Sequence, residues 1–320
     1  MRPEELAAGV LAGDRRAVAR AISLVEDGSP ELPALGELLY PKTGRARTLG
    51  LTGSPGVGKS SLAARLVETA RARDLTVAVL AIDPTSPFTG GALLGDRLRM
   101  QAHATDPGVF IRSMATRGHL GGMALAAPEA LRILDASGRD LIIVETVGVG
   151  QAEVEVAGAT DTTLVVVAPG WGDAVQVAKA GILEIADVFV VNKGDRDEAD
   201  DARRDLRQML NMGPKTAWVP PVVKVSALTG EGIAELWEAI DGHADHLEST
   251  GALEALRRRR VLDEVGKMVA FRLQALTATL LEEDDGDLAE RLWSRELDPY
   301  RATDRLIRQL GEHAGAHLEG

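Results

Sequence analysis

The stretch GSPGVGKS at residues 53–60 constrains this chain more than any other. It follows an apolar run at 48–52 and precedes SLAARLVETARAR, whose apolar positions recur at helical spacing. A glycine-rich turn between a strand and a helix lets consecutive backbone N–H groups face inward, and the helix N-terminus adds the positive end of its dipole. Gly53, Ser54, Pro55, Gly56, Val57, Gly58, Lys59, Ser60 and Ser61 therefore read as a cradle for nucleotide phosphates. The pattern G-x-x-x-x-G-K-[ST] assigns Lys59 to the β and γ phosphates and the Ser60 hydroxyl to a Mg²⁺ position.

The rest of the chain fits a fold built around such a cradle. Short β-branched runs at 48–52, 76–82, 109–112, 141–145, 163–168, 188–192 and 222–225 alternate with amphipathic stretches. Strands this apolar are buried on both faces, so the pattern predicts a mostly parallel sheet flanked by helices, the α/β P-loop NTPase architecture. Before it, Leu6, Val10, Leu11, Val18, Ile22 and Val25 fall at helical spacing until Gly-Ser-Pro at 28–30. After Gly251 the chain becomes helical and highly charged. The expected division is an N-terminal helical segment at 1–45, a P-loop domain at 46–245 and a C-terminal helical arm at 246–320.

Composition removes several classes of function. A net charge of −12 argues against a nucleic-acid surface. RRRR at 257–260 reads as a solvated helix face beside acidic neighbours. The absence of cysteine excludes disulfides, thiolate metal sites and cysteine nucleophiles, and it fits a reducing cytoplasm. His243/His246 and His313/His317 have helical spacing but no partner at a recognised metal spacing, so they read as surface histidines. The first residues are too charged for a signal peptide, and no apolar stretch approaches the ~20 residues that span a bilayer.

The base is read further along. VFVVNKGD at 188–195 places Asn192, Lys193 and Asp195 directly after a strand. An aspartate there can accept from both the N1–H and the 2-amino group of guanine, a pair of donors that adenine lacks. The Lys193 stem can lie along the ring, and Asn192 can tie this loop to the phosphate loop. VSAL at 225–228 follows another strand, bringing Ser226, Ala227 and Leu228 to the site, with the Ala227 N–H as a donor to guanine O6. A lone Asn-Lys-Gly-Asp also makes an acceptable turn. Its order behind the phosphate loop, with SAL about thirty residues on, selects guanine.

LIIVETVGVGQ at 141–151 carries the switch chemistry. Glu145 ends an apolar strand beside the cradle, where a carboxylate can hold Mg²⁺ or a water bound to it. Gly148 and Gly150 leave the following backbone free to approach a γ-phosphate and to relax when it leaves. In small GTPases a glutamine follows directly after the glycine of this motif and orients water. Here Val149 stands in that place and Gln151 lies two residues further on, so hydrolysis is expected to be slow until a partner completes the site.

Taken together, these residues resemble the MeaB/ArgK family of G proteins, the GTPases associated with methylmalonyl-CoA mutase. The likeness runs from GDRRAVARAISLVE through GSPGVGKSS, AIDPTSPFTGGALLGDRLRM, ATRGHLGG, ETVGVGQAEVEV and PGWGDAVQVAKAGILEIADVFVVNKGD to LDPYRATDRLI. The resemblance implies a GTPase that binds GTP or GDP with Mg²⁺ and chaperones a coenzyme B12-dependent acyl-CoA mutase. It would gate adenosylcobalamin delivery and protect or restore the mutase. The resemblance also implies a homodimer formed through the arm after about residue 250, and a magnesium or attacking-water role for Asp83. Asp96 is a further metal candidate, with a plain turn as the alternative. PGWGDAVQVAKAG at 169–181 looks like the family's additional switch, with Trp171, Asp173 and Lys179 as coupling residues. A nickel-insertion GTPase of similar fold is the competing reading, and the lack of cysteine and of a His-rich tract counts against it. No D-x-H-x-x-G motif is present, so cobalamin is expected on a separate mutase.

Overall fold

The apolar runs all form strands: β1 (Arg47–Thr52), β2 (Val77–Asp83), β3 (Val109–Ala115), β4 (Leu141–Thr146), β5 (Thr162–Val167), β6 (Val188–Val191) and β7 (Val222–Lys224). The structure is a computed structural model, and it describes residues 2–83, 103, 105–115, 123–146, 152–170, 184–213, 216–284 and 286–318. Within these, residues 83, 115, 123–124, 152–155 and 312–318 are described by backbone alone. The strands make one sheet in the order β3-β2-β4-β1-β5-β6-β7, with every neighbouring pair parallel. β1 is central: Leu51 is in register with Glu145 of β4, and Thr52 with Val165 of β5. In open parallel sheets ligands sit at the carboxyl ends of the strands, and the phosphate loop leaves β1 at that end.

Helices cover both faces, as strands buried on two sides require. On one face α4 (Lys59–Ala72) and a later helix, Ile233–Ser249, set Leu62, Leu66, Val67, Leu236, Trp237 and Ile240 against Leu49, Leu51, Ile143 and Val166. The other face takes α1 (Pro3–Leu11), α2 (Arg15–Glu26), α3 (Leu32–Leu39), α5 (Met123–Ala136) and α6 (Ala152–Ala159). Asp14 starts α2 by accepting from the amides of Arg16 and Ala17, both at 2.8 Å, which satisfies two N–H groups the helix itself cannot. Leu6, Val10, Val18 and Ile22 are fully buried in the same cluster as Leu80, Ile142 and Val144. At ~1.5–3 kcal/mol for each large apolar side chain, these helices are part of the main core.

The chain divides into compact units at Met1–Val261 and Leu262–Gly320. The first therefore contains the N-terminal helices, the sheet, α7 (Ala199–Met212), α8 (Ile233–Ser249) and the beginning of α9 (Ala252–Glu282). The second holds the rest of α9, α10 (Asp287–Trp293) and α11 (Pro299–Leu318). The division that sequence placed after residue 245 falls within α8, which packs its apolar face on the sheet. The first 45 residues share the main core and form no separate unit.

Two surface assignments are corrected. Arg257 and Arg260 are not a solvated face: they pair with Asp161 at 2.7 and 3.0 Å. Arg257 also donates to the carbonyls of Gly44 at 2.8 Å and Ala46 at 3.0 Å, and Arg260 to that of Thr160. Burial pushes the Asp161 carboxyl up, but the two guanidinium groups more than offset this and hold it below the usual range. The reason is helical geometry, since residues three apart share a face and this face meets a buried carboxylate.

His243 is the second correction, for it is buried. Its Nδ1 lies 2.9 Å from the Thr162 hydroxyl and its Nε2 3.3 Å from Asp187. Trp218 packs on the ring, 4.9 Å between centroids, and donates its indole N–H to the Asp187 carbonyl at 2.8 Å. Burial, with His246 close by, pushes His243 down to about 4, and burial pushes the Asp187 carboxyl up to about 6 against the Thr163 N–H.

The two shifts have opposite linkage. A histidine with a lowered folded pKa costs stability as pH falls below 6.5 toward 4, because only the unfolded chain takes the proton. A carboxyl with a raised folded pKa does the reverse, adding stability as pH falls through 6 toward 3.8. In the native protein the two largely offset. Asp187→Asn removes the second contribution, so urea unfolding of that variant should lose stability more steeply than wild type between pH 6.5 and 4. The excess loss should be on the order of 1–2 kcal/mol. Parallel pH profiles for the two proteins would show that the pair is not titrating as described.

Candidate functional site: a nucleotide cradle with a base-reading loop

β1 ends at Thr52, and the chain then turns through Gly53–Gly58 into α4. Only glycine fits at two of these positions. Gly53 has φ 137°, and a Cβ there would lie 2.1 Å from the Val166 carbonyl oxygen. Gly58 has φ 95°, and a Cβ would meet the Asn192 side-chain amide at 2.4 Å. Strand β5 and the loop after β6 thus press on the cradle from behind, which fixes its shape before any phosphate arrives.

Lys59 and Ser60, the first residues of α4, are both buried. The Lys59 ammonium donates to the carbonyls of Gly53 at 2.5 Å and Ser54 at 3.1 Å, so it lies over the loop. The Ser60 hydroxyl donates to Glu145 Oε1 at 2.5 Å. That contact follows from sheet order, because β1 and β4 are neighbours and Glu145 is in register with Leu51. A hydroxyl and a carboxylate brought together this way are the oxygen donors that a hard divalent cation takes, so the residues fit Mg²⁺. Asp83 is the last residue of β2, one place beyond Ile82, which is in register with Thr146. The Asp83 side chain, together with Asp96, Gly148, Val149, Gln151, Trp171, Asp173 and Lys179, lies outside the described residues.

The segments that sequence assigns to the base meet the cradle through Asn192. Its side-chain NH₂ donates to the carbonyls of Val57 at 2.8 Å and Gly58 at 3.4 Å, while its Oδ1 accepts from the Ala227 amide at 3.1 Å. One buried amide thereby ties three loops together, and all its partners are backbone groups. Lys193, in the left-handed region at φ 59°, sends its ammonium back to the Gly56 carbonyl at 2.7 Å. Asp195 is exposed and accepts from the Ser226 hydroxyl at 2.7 Å, a bond that holds its carboxyl below the usual range. It is thus a carboxylate at neutral pH, an acceptor with no donor of its own. The Ala227 amide, assigned from sequence to guanine O6, is engaged by Asn192, which sequence spacing could not show.

Sequence reasoning missed Arg65. Six residues after Lys59 on the same helix, its guanidinium holds the carbonyls of Ala227 and Leu228 at 2.9 and 2.8 Å. No local signal marks it, since an arginine on an exposed helical turn is unremarkable.

The family model described as methylmalonyl Co-A mutase-associated GTPase MeaB matches residues 18–281 of this chain. A putative GTPase of Pyrococcus horikoshii is 48% identical over 315 residues, covering 97% of this chain and 99% of that protein. The mitochondrial methylmalonic aciduria type A homolog of Caenorhabditis elegans is 34% identical, covering 95% of this chain and 82% of that protein. Among solved structures, a LAO/AO transport system kinase is similar with a TM-score of 0.73 and 28% identity over 97% of both chains.

Proposed function

From the premise that this chain belongs to the MeaB family of GTPases, we propose that it is the nucleotide-driven chaperone of a coenzyme B12-dependent acyl-CoA mutase. The observation that carries the nucleotide part is the three-loop tie at Asn192 beside the Ser60–Glu145 contact. Phosphate, cation and base elements meet there at one end of one sheet. The mutase part is supported by the family's own description.

In this reading the loop amides and Lys59 hold the phosphates, and the lysine neutralises charge that develops during transfer. Ser60 and Glu145 would hold Mg²⁺, with Asp83 and Asp96 as further candidates; when bound, the ion neutralises phosphate charge. Asp195 selects guanine, assisted by Asn192, Lys193 and the 226–228 loop. Gly148 and Gln151 respond to the γ-phosphate. Trp171, Asp173 and Lys179 pass the nucleotide state to the mutase.

A homodimer belongs to the same proposal. α9 buries none of its residues within the chain, and Leu262, Val265, Val269, Leu273 and Leu276 are exposed at three- and four-residue spacing. A stripe of this kind suits a second helix, here from a second copy of the chain. No helix among the described residues is long and apolar enough to cross a membrane.

For nucleotide to act as a signal, the mutase must bind the GTP and GDP forms with different free energies. Purified methylmalonyl-CoA mutase is expected to raise GTP turnover at least about ten-fold, the effect of ~1.4 kcal/mol off the barrier. It should also bind the two nucleotide forms unequally in a calorimetric titration. Unchanged turnover together with equal affinities would remove the mutase from the proposal and leave the GTPase.

A further inference from the structure

The SAL loop is held from one side by Arg65. Its Nε donates to the Ala227 carbonyl at 2.9 Å, and a terminal nitrogen donates to the Leu228 carbonyl at 2.8 Å. The remaining guanidinium nitrogen pairs with Glu68 at 2.9 Å on the next turn of the helix. A planar fork bound to two successive carbonyls sets the orientation of both peptide planes, which a single flexible donor cannot do.

The consequence lies on the opposite edge of the first plane. The Ala227 carbonyl and the Leu228 N–H belong to one peptide, there are no cis bonds, and in a trans peptide the two groups point opposite ways. With the carbonyl pulled toward α4, the Leu228 N–H is turned away from it. Every other amide of the loop is already satisfied. Ser226 N–H donates to the Glu231 carbonyl, Ala227 N–H to Asn192, Thr229 N–H to the Ser226 hydroxyl and Gly230 N–H to the Ser226 carbonyl. Among the described residues, only the Leu228 amide within 226–230 has no acceptor. The Leu228 residue is 78% exposed while Ala227 is buried, so its backbone stands at the open surface of the loop.

We propose that Arg65 is a positioning residue for base recognition, clamping the loop so that the Leu228 N–H meets the 6-oxo group of guanine. This rests on the guanine-site reading above. Asp195 then reads the donor edge of the base (N1–H and the 2-amino group), and the clamped amide reads the acceptor that an adenine-type base replaces with a donor. Removing the clamp costs recognition of the 6-oxo group and leaves recognition of the 2-amino group intact.

The test uses three diphosphates whose bases separate the two edges. GDP has both features, inosine diphosphate keeps the 6-oxo group without the 2-amino group, and 2,6-diaminopurine riboside diphosphate keeps the 2-amino group but lacks both the 6-oxo group and the N1–H. Affinities are measured with Mg²⁺ for wild type, Arg65→Met and Arg65→Lys. Arg65→Met, which keeps the stem, is expected to weaken GDP and inosine diphosphate by about ten-fold each, the effect of one poorly placed hydrogen bond. The diaminopurine nucleotide should change by less than about two-fold, and Arg65→Lys should recover part of the loss because a lysine can hold one carbonyl. Equal weakening of all three nucleotides would make Arg65 a merely structural residue and overturn the proposal, as would unchanged GDP affinity. If wild type itself does not prefer GDP over the diaminopurine nucleotide, the guanine reading falls and the proposal with it. Preference in wild type that survives intact in Arg65→Met removes Arg65 alone.

Discussion

Lys59→Ala is expected to abolish GTP hydrolysis, lowering single-turnover rates by at least about 10³-fold even with nucleotide saturating. Removal of one preorganised hydrogen-bond donor to a developing charge typically costs ~10²–10³ in rate, and here the donor carries a full positive charge. The lysine is buried at the first position of α4, with its ammonium anchored to the Gly53 and Ser54 carbonyls. No other described cation is bonded to those two carbonyls, so alanine leaves the charge unreplaced. Glu145→Ala should be milder, and it should reduce hydrolysis more than GDP binding, because it removes the partner of Ser60 while the loop amides remain. Rapid-quench measurement with radiolabelled GTP reads both effects. A Lys59→Ala protein that turns over within a few-fold of wild type would place the chemistry elsewhere.

Asp195→Asn is the second large effect, a change of preferred base. Asp195 is an ionised acceptor held by the Ser226 hydroxyl at 2.7 Å, which uses one oxygen and orients the other. Asparagine keeps the shape but presents an N–H where the carboxylate presented an acceptor. Guanine then faces a donor with its own 2-amino donor, while xanthine offers a 2-oxo acceptor in that place. A site built to hydrogen-bond a particular group can discriminate by ~10⁴-fold, so the ratio of GDP to xanthosine diphosphate affinity should fall by about three to four orders of magnitude. Fluorescence titration with the two diphosphates measures it. Wild-type GDP affinity in the variant would end the assignment of Asp195 to the base.

The two variants probe opposite ends of one site, and α4 links them. Lys59 and Ser60 stand at its start beside the glycine-rich loop, and Arg65 stands on its second turn against the 226–228 loop. An exposed Arg65–Glu68 pair adds little stability by itself, so the helix's part in base reading rests on the two carbonyl bonds.

The strands and the cradle were legible in sequence for a local reason. A β-branched run bounded by turn residues reports its own conformation, and the spacing of Gly53, Gly58, Lys59 and Ser60 reports a turn between strand and helix. The apolar runs all became strands, because burial on two faces leaves no other use for such segments. Asn192 and Asp195 were singled out in the same way, by their place directly after a strand. The tie from Asn192 to the phosphate loop also followed, since strand order brings the end of β6 near the end of β1 with β5 between them.

Sequence by itself thus determined the strands and the glycine-rich turn from β1 into α4, because each depends on residues within about ten positions of one another. Only the tertiary structure decided how distant side chains are spent. It took the Ala227 amide for Asn192, placed Arg65 on two carbonyls more than 160 positions away, and paired Arg257 and Arg260 with Asp161. It also buried His243 between Thr162 and Asp187. The physical reason is that a charged or polar side chain leaves water only where a matched partner offsets the cost of desolvation, and the sheet order sets where that partner stands.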